Sequence, residues 1–402
     1  MKCNKKDIII ISHFVDFPWE KGNDRFLYIA DMLVSQGAEV EVVTSDFIHI
    51  QKEHRKLERV LAEKVNFKIT LLHETGYRKN VCLKRIKSHR ELGARLREYL
   101  KKRRKPDVIY CAVPSLDLAW EASEYAKKNK VEFIIDIQDL WPEAFELVLP
   151  YRPLGSILFS SLKRKAEKIY SRADRIVAVS ETYLIRGKRG NTKEKNGLSV
   201  YLGTDLKKFE QFKEIHKVLK NKDEIWLVYV GTLGHSYDLT GVLDALEQLN
   251  NPCIRFMILG DGPLKNKLEE YAKVKNLYCT FTGRLPYPQM VSLLCQCDIA
   301  INPIMSGAAQ SIINKVGDYA AAGLPVISTQ ECEEYKNLLI EYQCGFTCEN
   351  GNVGELATRI KLLSENSELR SRMGKNSRKL GIERFDRAKT YLQICHLMTD
   401  KI

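Results

Sequence analysis

A chain of 402 residues exceeds one ordinary domain and points to two or three. Its 44% apolar fraction suits a packed core, and no window approaches the roughly 18 to 20 uninterrupted apolar residues of a membrane-spanning helix. The net charge of +13 is concentrated: Gln51 to Pro106 holds 19 Lys and Arg against 6 Asp and Glu, a surplus of 13, so the remainder is balanced.

The first apolar run, Ile8-Ile9-Ile10-Ile11, follows a short basic start. It is too short for a signal-peptide apolar region and lacks a small-residue cleavage site, so it reads as a buried strand of a cytoplasmic protein. Helical spacing follows at Phe26, Ile29, Ala30 and Leu33, then strands at 40–44, 108–111, 133–136 and 175–180. After a Lys-rich break at 207–224 the rhythm restarts. Strands are expected at 226–230, 255–259, 279–282, 299–303 and 325–328, with helices at 241–249, 264–273, 288–295 and 315–322. Apolar strands separated by helices predict parallel sheets buried on both faces. The expected architecture is α/β, two doubly wound Rossmann-like domains (1–205 and 206–380) facing a central cleft. Residues 381–402 form a last helix packing back on the first domain. Ligands of such sheets bind beyond the carboxyl ends of the strands.

The 11 cysteines are scattered with no C-x-x-C pair, which excludes a zinc or disulfide framework and fits reduced, buried thiols. Two strands of the second half end in glycines, at Gly231 and Gly234 and at Gly260 and Gly262 around Asp261. Glycine lets backbone approach a phosphate, and equally serves an ordinary tight turn. Lys315 lies near a helix start, where the helix dipole gives a cation no benefit. A phosphate bound beside Asn314 and Lys315 supplies the missing reason. Asp318, one turn later, is placed to accept hydrogen bonds from sugar or ribose hydroxyls. The alternative is a solvated Lys-Asp pair on an ordinary helix.

The segment Gln310 to Ser328, with Asp318-Tyr319, three alanines, Gly323 and Pro325-Val326, resembles the donor-site signature of glycosyltransferase family 4, a retaining family with the GT-B fold. Leu202-Gly203-Thr204-Asp205 followed by Phe209 resembles the family's interdomain motif, and Phe281-Thr282-Gly283-Arg284 follows at the family's interval. The variant Asn314-Lys315 with Asp318-Tyr319, together with Asp136-Ile137-Gln138-Asp139-Leu140-Trp141-Pro142-Glu143, most resembles bacterial capsule and O-antigen glycosyltransferases. The resemblance implies a nucleotide diphospho-sugar donor, UDP-linked, with retention of configuration and no metal or other cofactor. It also implies a lipid-diphosphate-linked glycan acceptor.

By that resemblance the catalytic candidates are Asp139, Lys315 and Asp318. The donor-binding candidates are Gly22, Gly231, Thr232, Asp261, Gly283, Arg284, Gln310 and Asn314, together with Lys315 and Asp318. Gly22 belongs to a loop that brings the first domain to the donor, Gly283 to Leu285 lie by the base, and Asp139 alternatively caps a turn. The sequence departs from the family at four places. Gln310 and Asp318 replace its paired glutamates, and Thr232 and Tyr237 replace its Arg and Lys, leaving Lys315 and Arg284 as sources of positive charge. His13 reads as a packed, hydrogen-bonded residue.

The basic segment 51–106 fits an anionic inner-membrane surface, with a solvated helical face as its alternative. No nucleic-acid-binding module is present. A stripe of Leu154, Ile157, Leu158, Leu162 and Ile169 adds either a membrane-facing or a core-facing helix. Two other readings stay open: a nucleotide-sugar epimerase or hydrolase of the same fold, and a non-catalytic membrane-associated scaffold with a decayed donor site.

Overall fold

Apolar runs of four or more residues form the centres of two parallel sheets. The computed structural model describes residues 5–17, 20, 25–56, 58, 60, 64–80, 82–143, 160–193, 197–308 and 311–399. Gly22, Gln310, Leu154, Ile157 and Leu158 lie outside these. The chain divides into two compact units, Met1–Val200 with Tyr391–Ile402, and Tyr201–Thr390.

In the first unit the strands are β1 (Asp7–Ile11), β2 (Glu39–Ser45), β3 (Phe47–Ile48), β4 (Glu53–His54), β5 (Lys68–Leu72), β6 (Val108–Val113), β7 (Glu132–Ile137), β8 (Arg175–Ala178) and β9 (Leu198–Ser199). A seven-stranded parallel sheet runs β5-β2-β1-β6-β7-β8-β9, while β3 and β4 form a separate antiparallel hairpin. Ile8 to Ile11 are wholly buried, as expected of a strand covered on both faces. The final helix, Arg387–Thr399, adds Tyr391, Ile394, Cys395 and Met398 to this unit's core.

In the second unit the strands are β10 (Ile225–Val230), β11 (Ile254–Leu259), β12 (Cys279–Gly283), β13 (Ile299–Asn302), β14 (Val326–Ser328) and β15 (Gly345–Thr347), in the parallel order β12-β11-β10-β13-β14-β15. Each sheet reverses its strand order once, between β1 and β6 and between β10 and β13. Such reversal points open a crevice beyond the strand ends where doubly wound folds hold ligands.

The basic segment is not one helical face. It contains the β3–β4 hairpin's second strand, β5, and a helix at Leu83–Lys102. β5 was hidden because edge residues such as Lys68 stay exposed. The described part of the amphipathic stretch, helix Ser160–Arg172, turns Ala166, Ile169 and Tyr170 into the core. That observation favours the core-facing reading for this part.

Candidate active site

At the reversal point of the second unit, the loops after β10 and β13 are tied together. Tyr237 and Ile304 form a bridge, Met305 N–H donates to Ser236 O at 3.0 Å, and Asp238 N–H donates to Pro303 O at 2.8 Å. The chain then enters the helix Lys315–Ala322, which starts at an exposed Asn314 without any side-chain cap. Tyr319 anchors this helix across the two strands. Its hydroxyl accepts from Val230 N–H at 2.9 Å and donates to Ile301 O at 3.3 Å.

One turn earlier on the same helix, Lys315 is thereby carried over the end of β10. Its side chain is 9% exposed, and its ammonium has no hydrogen-bond partner among the described residues. Two rings flank it instead, Tyr229 at 4.0 Å and Tyr237 at 3.9 Å from their centres. Burial pushes the ammonium well below the usual lysine value. The cation–π contacts return part of the lost hydration, but a buried cation without hydrogen bonds remains costly. An arriving anion would supply the missing partner.

The glycines have a local explanation. Gly231 adopts φ +142°, and a Cβ there would meet Lys315 Nζ at 2.8 Å. A Cβ at Gly260 would fall 1.8 Å from Gly231 O, and one at Gly262 2.4 Å from Leu233 O. The Gly231 N–H is committed to Leu259 O at 3.0 Å. Gly260 and Gly262 thus permit two loops to touch, and Gly231 leaves room for Lys315.

Thr232 is exposed, and its carbonyl accepts from the Tyr229 hydroxyl at 2.8 Å. Asp261 is exposed and accepts from Gly262 N–H at 2.8 Å. Gly283, at φ +68°, and exposed Arg284 end β12, two strands from β10 and hence about 10 Å along the rim.

Asp318 faces away from this group. Its Oδ1 accepts from Thr204 Oγ1 and from the Tyr287 hydroxyl, both at 2.8 Å, and no ion pair joins it to Lys315. Burial raises the carboxyl above its ordinary value despite those two hydrogen bonds. Asp318 therefore braces the helix against Thr204 and the helix Tyr287–Leu294.

In the first unit Asp139 follows β7. It accepts from Leu140 N–H at 2.9 Å and from Trp141 Nε1 at 3.1 Å, and burial raises its carboxyl. The reversal point of that sheet holds a set absent from the sequence reading. His13 Nδ1 meets Ser115 Oγ at 2.9 Å, and His13 Nε2 meets Glu74 Oε1 at 2.7 Å. Glu74 also accepts from Ser45 at 2.6 Å and from the Ser88 hydroxyl. Nearby on the surface, Asp46, His54 and His73 bring three metal-capable atoms within 4.8 Å of one another. Asp46 Oδ2 is already hydrogen-bonded by His73 Nδ1 at 2.7 Å.

Tyr229 was legible only as a buried strand residue, and Tyr237 only as a position lacking a cation. Together they are the walls that receive the cation supplied by Lys315.

The sequence matches two family models in succession: "Glycosyltransferase Family 4" over residues 25–189 and "Glycosyl transferases group 1" over residues 210–380. A Methanocaldococcus jannaschii protein named uncharacterized glycosyltransferase MJ1178 is 24% identical over 207 residues, covering 51% of this chain and 54% of that protein. The chain thus spans about half the length of the curated relatives it matches. The structure of Anabaena Alr3699/HepE in complex with UDP is similar with a TM-score of 0.68 at 15% identity, over 98% of this chain and 100% of that one. A putative UDP-N-acetylglucosamine 2-epimerase from Listeria monocytogenes is similar with a TM-score of 0.60 at 11% identity, over 99% and 98% of the two chains. At these identities the structural likeness establishes the fold.

Proposed function

We propose, for a chain that belongs to the family 4 type of glycosyltransferases and has their GT-B fold, that it moves a sugar from a nucleoside diphosphate to a glycan hydroxyl. The observation that carries this reading is Lys315, a buried cation without a hydrogen-bond partner among the described residues, at the reversal point of the second sheet.

In this reading the second unit binds the donor. The base lies by Gly283 and Arg284, and the diphosphate lies near Gly231, Lys315 and the helix start at Asn314. Departure of the sugar leaves negative charge on the diphosphate. A preorganised ammonium in a site of low polarity stabilises that charge more than water would, and it need not reorganise to do so. Burial holds the Lys315 ammonium well below its usual value in the empty site, and a bound phosphate offsets that cost. Tyr229 and Tyr237 hold the ammonium there and exclude water. The site uses one buried cation where the family resemblance implies an Arg and a Lys at Thr232 and Tyr237. Retention of configuration, freedom from metal and a UDP-linked donor follow from the resemblance.

The acceptor is proposed to be a lipid-diphosphate-linked glycan of surface polysaccharide synthesis, used at the inner face of the cell membrane. Support comes from the first unit's basic segment, where Ile50, Leu83 and Ile86 are exposed among lysines and arginines. Polybasic surfaces gain about 1 kcal/mol per charge at anionic lipid.

The test is diphosphate release from a panel of UDP- and GDP-sugars, with and without a polyprenyl-diphosphate-linked saccharide. Release that requires the acceptor supports transfer. Release indifferent to it favours an epimerase or hydrolase, and absence of nucleotide binding favours a scaffold.

A further inference from the structure

The first unit holds a pair of cations, far in sequence from Lys315 and unused by the donor chemistry. Lys52 sits at the tip of the β3–β4 hairpin with φ 61°, a left-handed backbone that favours Gly or Asn. Its ammonium donates to Asn80 Oδ1 at 2.6 Å and to His49 Nδ1 at 3.3 Å, and stands 4.8 Å from the centre of the Tyr77 ring. Arg85 reaches the same place from the helix Leu83–Lys102. Its Nη1 donates to Asn80 O at 2.8 Å, and its guanidinium lies over Tyr77 at 5.4 Å and over Trp141 at 4.8 Å. Among the described residues neither cation has a carboxylate partner.

The surroundings behave as an unneutralised positive field. After burial, Arg85 is the cause that holds the Lys52 ammonium below its usual value. His49 Nδ1 lies 2.6 Å from the Tyr77 hydroxyl and 3.3 Å from Lys52 Nζ. Burial, then Lys52 and Arg85, push it down to about 4. His89, stacked on Trp141 with ring centres 6.0 Å apart, is pushed down to about 2 by burial, His13 and Arg85. The Glu74 carboxylate offsets this only in part at His49 and His89, and its oxygens are engaged by His13, Ser45 and Ser88.

Two cations held close without a counter-charge, over aromatic faces, match a phosphate with an apolar or sugar ring attached. We propose that Lys52 and Arg85, with the rings of Tyr77 and Trp141, form an acceptor subsite for a sugar esterified to phosphate or diphosphate. The assignment rests on the transferase reading and names the charged end of the acceptor. The guanidinium and ammonium take the phosphate oxygens, Asn80 keeps the two cations in register, and the rings take the sugar face.

The test is calorimetric binding of octyl diphosphate and glucosyl octyl diphosphate to the full chain, without any sugar donor. Lys52→Gly relieves the left-handed backbone, so it holds or raises the melting temperature while weakening both ligands several-fold. Lys52→Gly with Arg85→Gln weakens them at least tenfold and leaves UDP binding unchanged. Wild-type affinity in the double variant overturns the proposal. Phosphatidylglycerol vesicles distinguish the source of the anion: if their binding falls by the same factor as that of the diphosphates, the pair reads general membrane charge and the acceptor assignment is overturned. A wild type that binds glucosyl octyl diphosphate but never glycosylates it upholds the subsite and overturns the transferase reading alone.

Discussion

Both units reverse their strand order once, yet the two reversal points are chemically opposite. In the first, His13, Glu74, Ser115, Ser45 and Ser88 satisfy one another in a closed hydrogen-bonded set. In the second, Lys315 is buried with aromatic faces beside it and no hydrogen-bond partner among the described residues. A polar group satisfied by the fold needs no ligand to explain it, whereas a buried cation left without a partner does. The same topology therefore carries a satisfied polar set in one unit and, among the described residues, an unsatisfied buried cation in the other. In the first unit the unneutralised charge sits further out on the rim, at Lys52 and Arg85.

The largest effect tests the satisfied set. Glu74→Ala leaves His13 and two serine hydroxyls without their acceptor, and is expected to cost the first unit about 3 to 5 kcal/mol. Denaturant unfolding reads this directly, and a loss under about 1 kcal/mol would show that the set is not closed. Next is Gly231→Ala, which drives a Cβ toward Lys315 Nζ and forces φ +142° on an L-residue. It should cost about 1 to 3 kcal/mol and lower kcat/KM at least tenfold. Stability loss without a kinetic change would separate the glycine from the site.

A smaller effect concerns pH. The folded-state value of Lys315 is depressed, so between it and the ordinary lysine value near 10.5 the unfolded chain binds more protons. Stability of the ligand-free protein therefore gains from this group as pH rises through that window. Lys315→Met removes the gain: the variant melts higher than wild type at pH 7, and the gap narrows toward pH 10. A constant gap would mean that burial does not depress this lysine. The smallest effect is Asp318→Asn, which retains an oxygen for Thr204 and Tyr287. About 1 kcal/mol and less than a threefold change in turnover are expected. A hundredfold loss would put this carboxylate on the sugar.

Much of the architecture was legible because strands covered on both faces need unbroken apolar runs, as at Ile8–Ile11 and Trp226–Val230. β5 and β15 were not, since short strands toward a sheet edge mix exposed and apolar positions. Lys315 was legible from its unfavourable place at a helix start. Its walls were not, because Tyr229 looks like any buried strand residue until the helix is docked over it. Glu74 was hidden for a longer-range reason. It meets Ser45 only through the pairing of β2 with β5, where Ser45 lies opposite Leu72, and no local pattern encodes that register. Asp318 and Asp139 were legible as carboxylates, but their hydrogen bonds to neighbouring groups were not.

The central claim is that Lys315 is held unpartnered for a diphosphate. Calorimetric titration of UDP into wild type and Lys315→Met tests it most directly. The account predicts at least tenfold weaker binding in the variant, about 1.4 kcal/mol, in a protein that melts no lower than wild type. Equal affinity in a folded variant would contradict it.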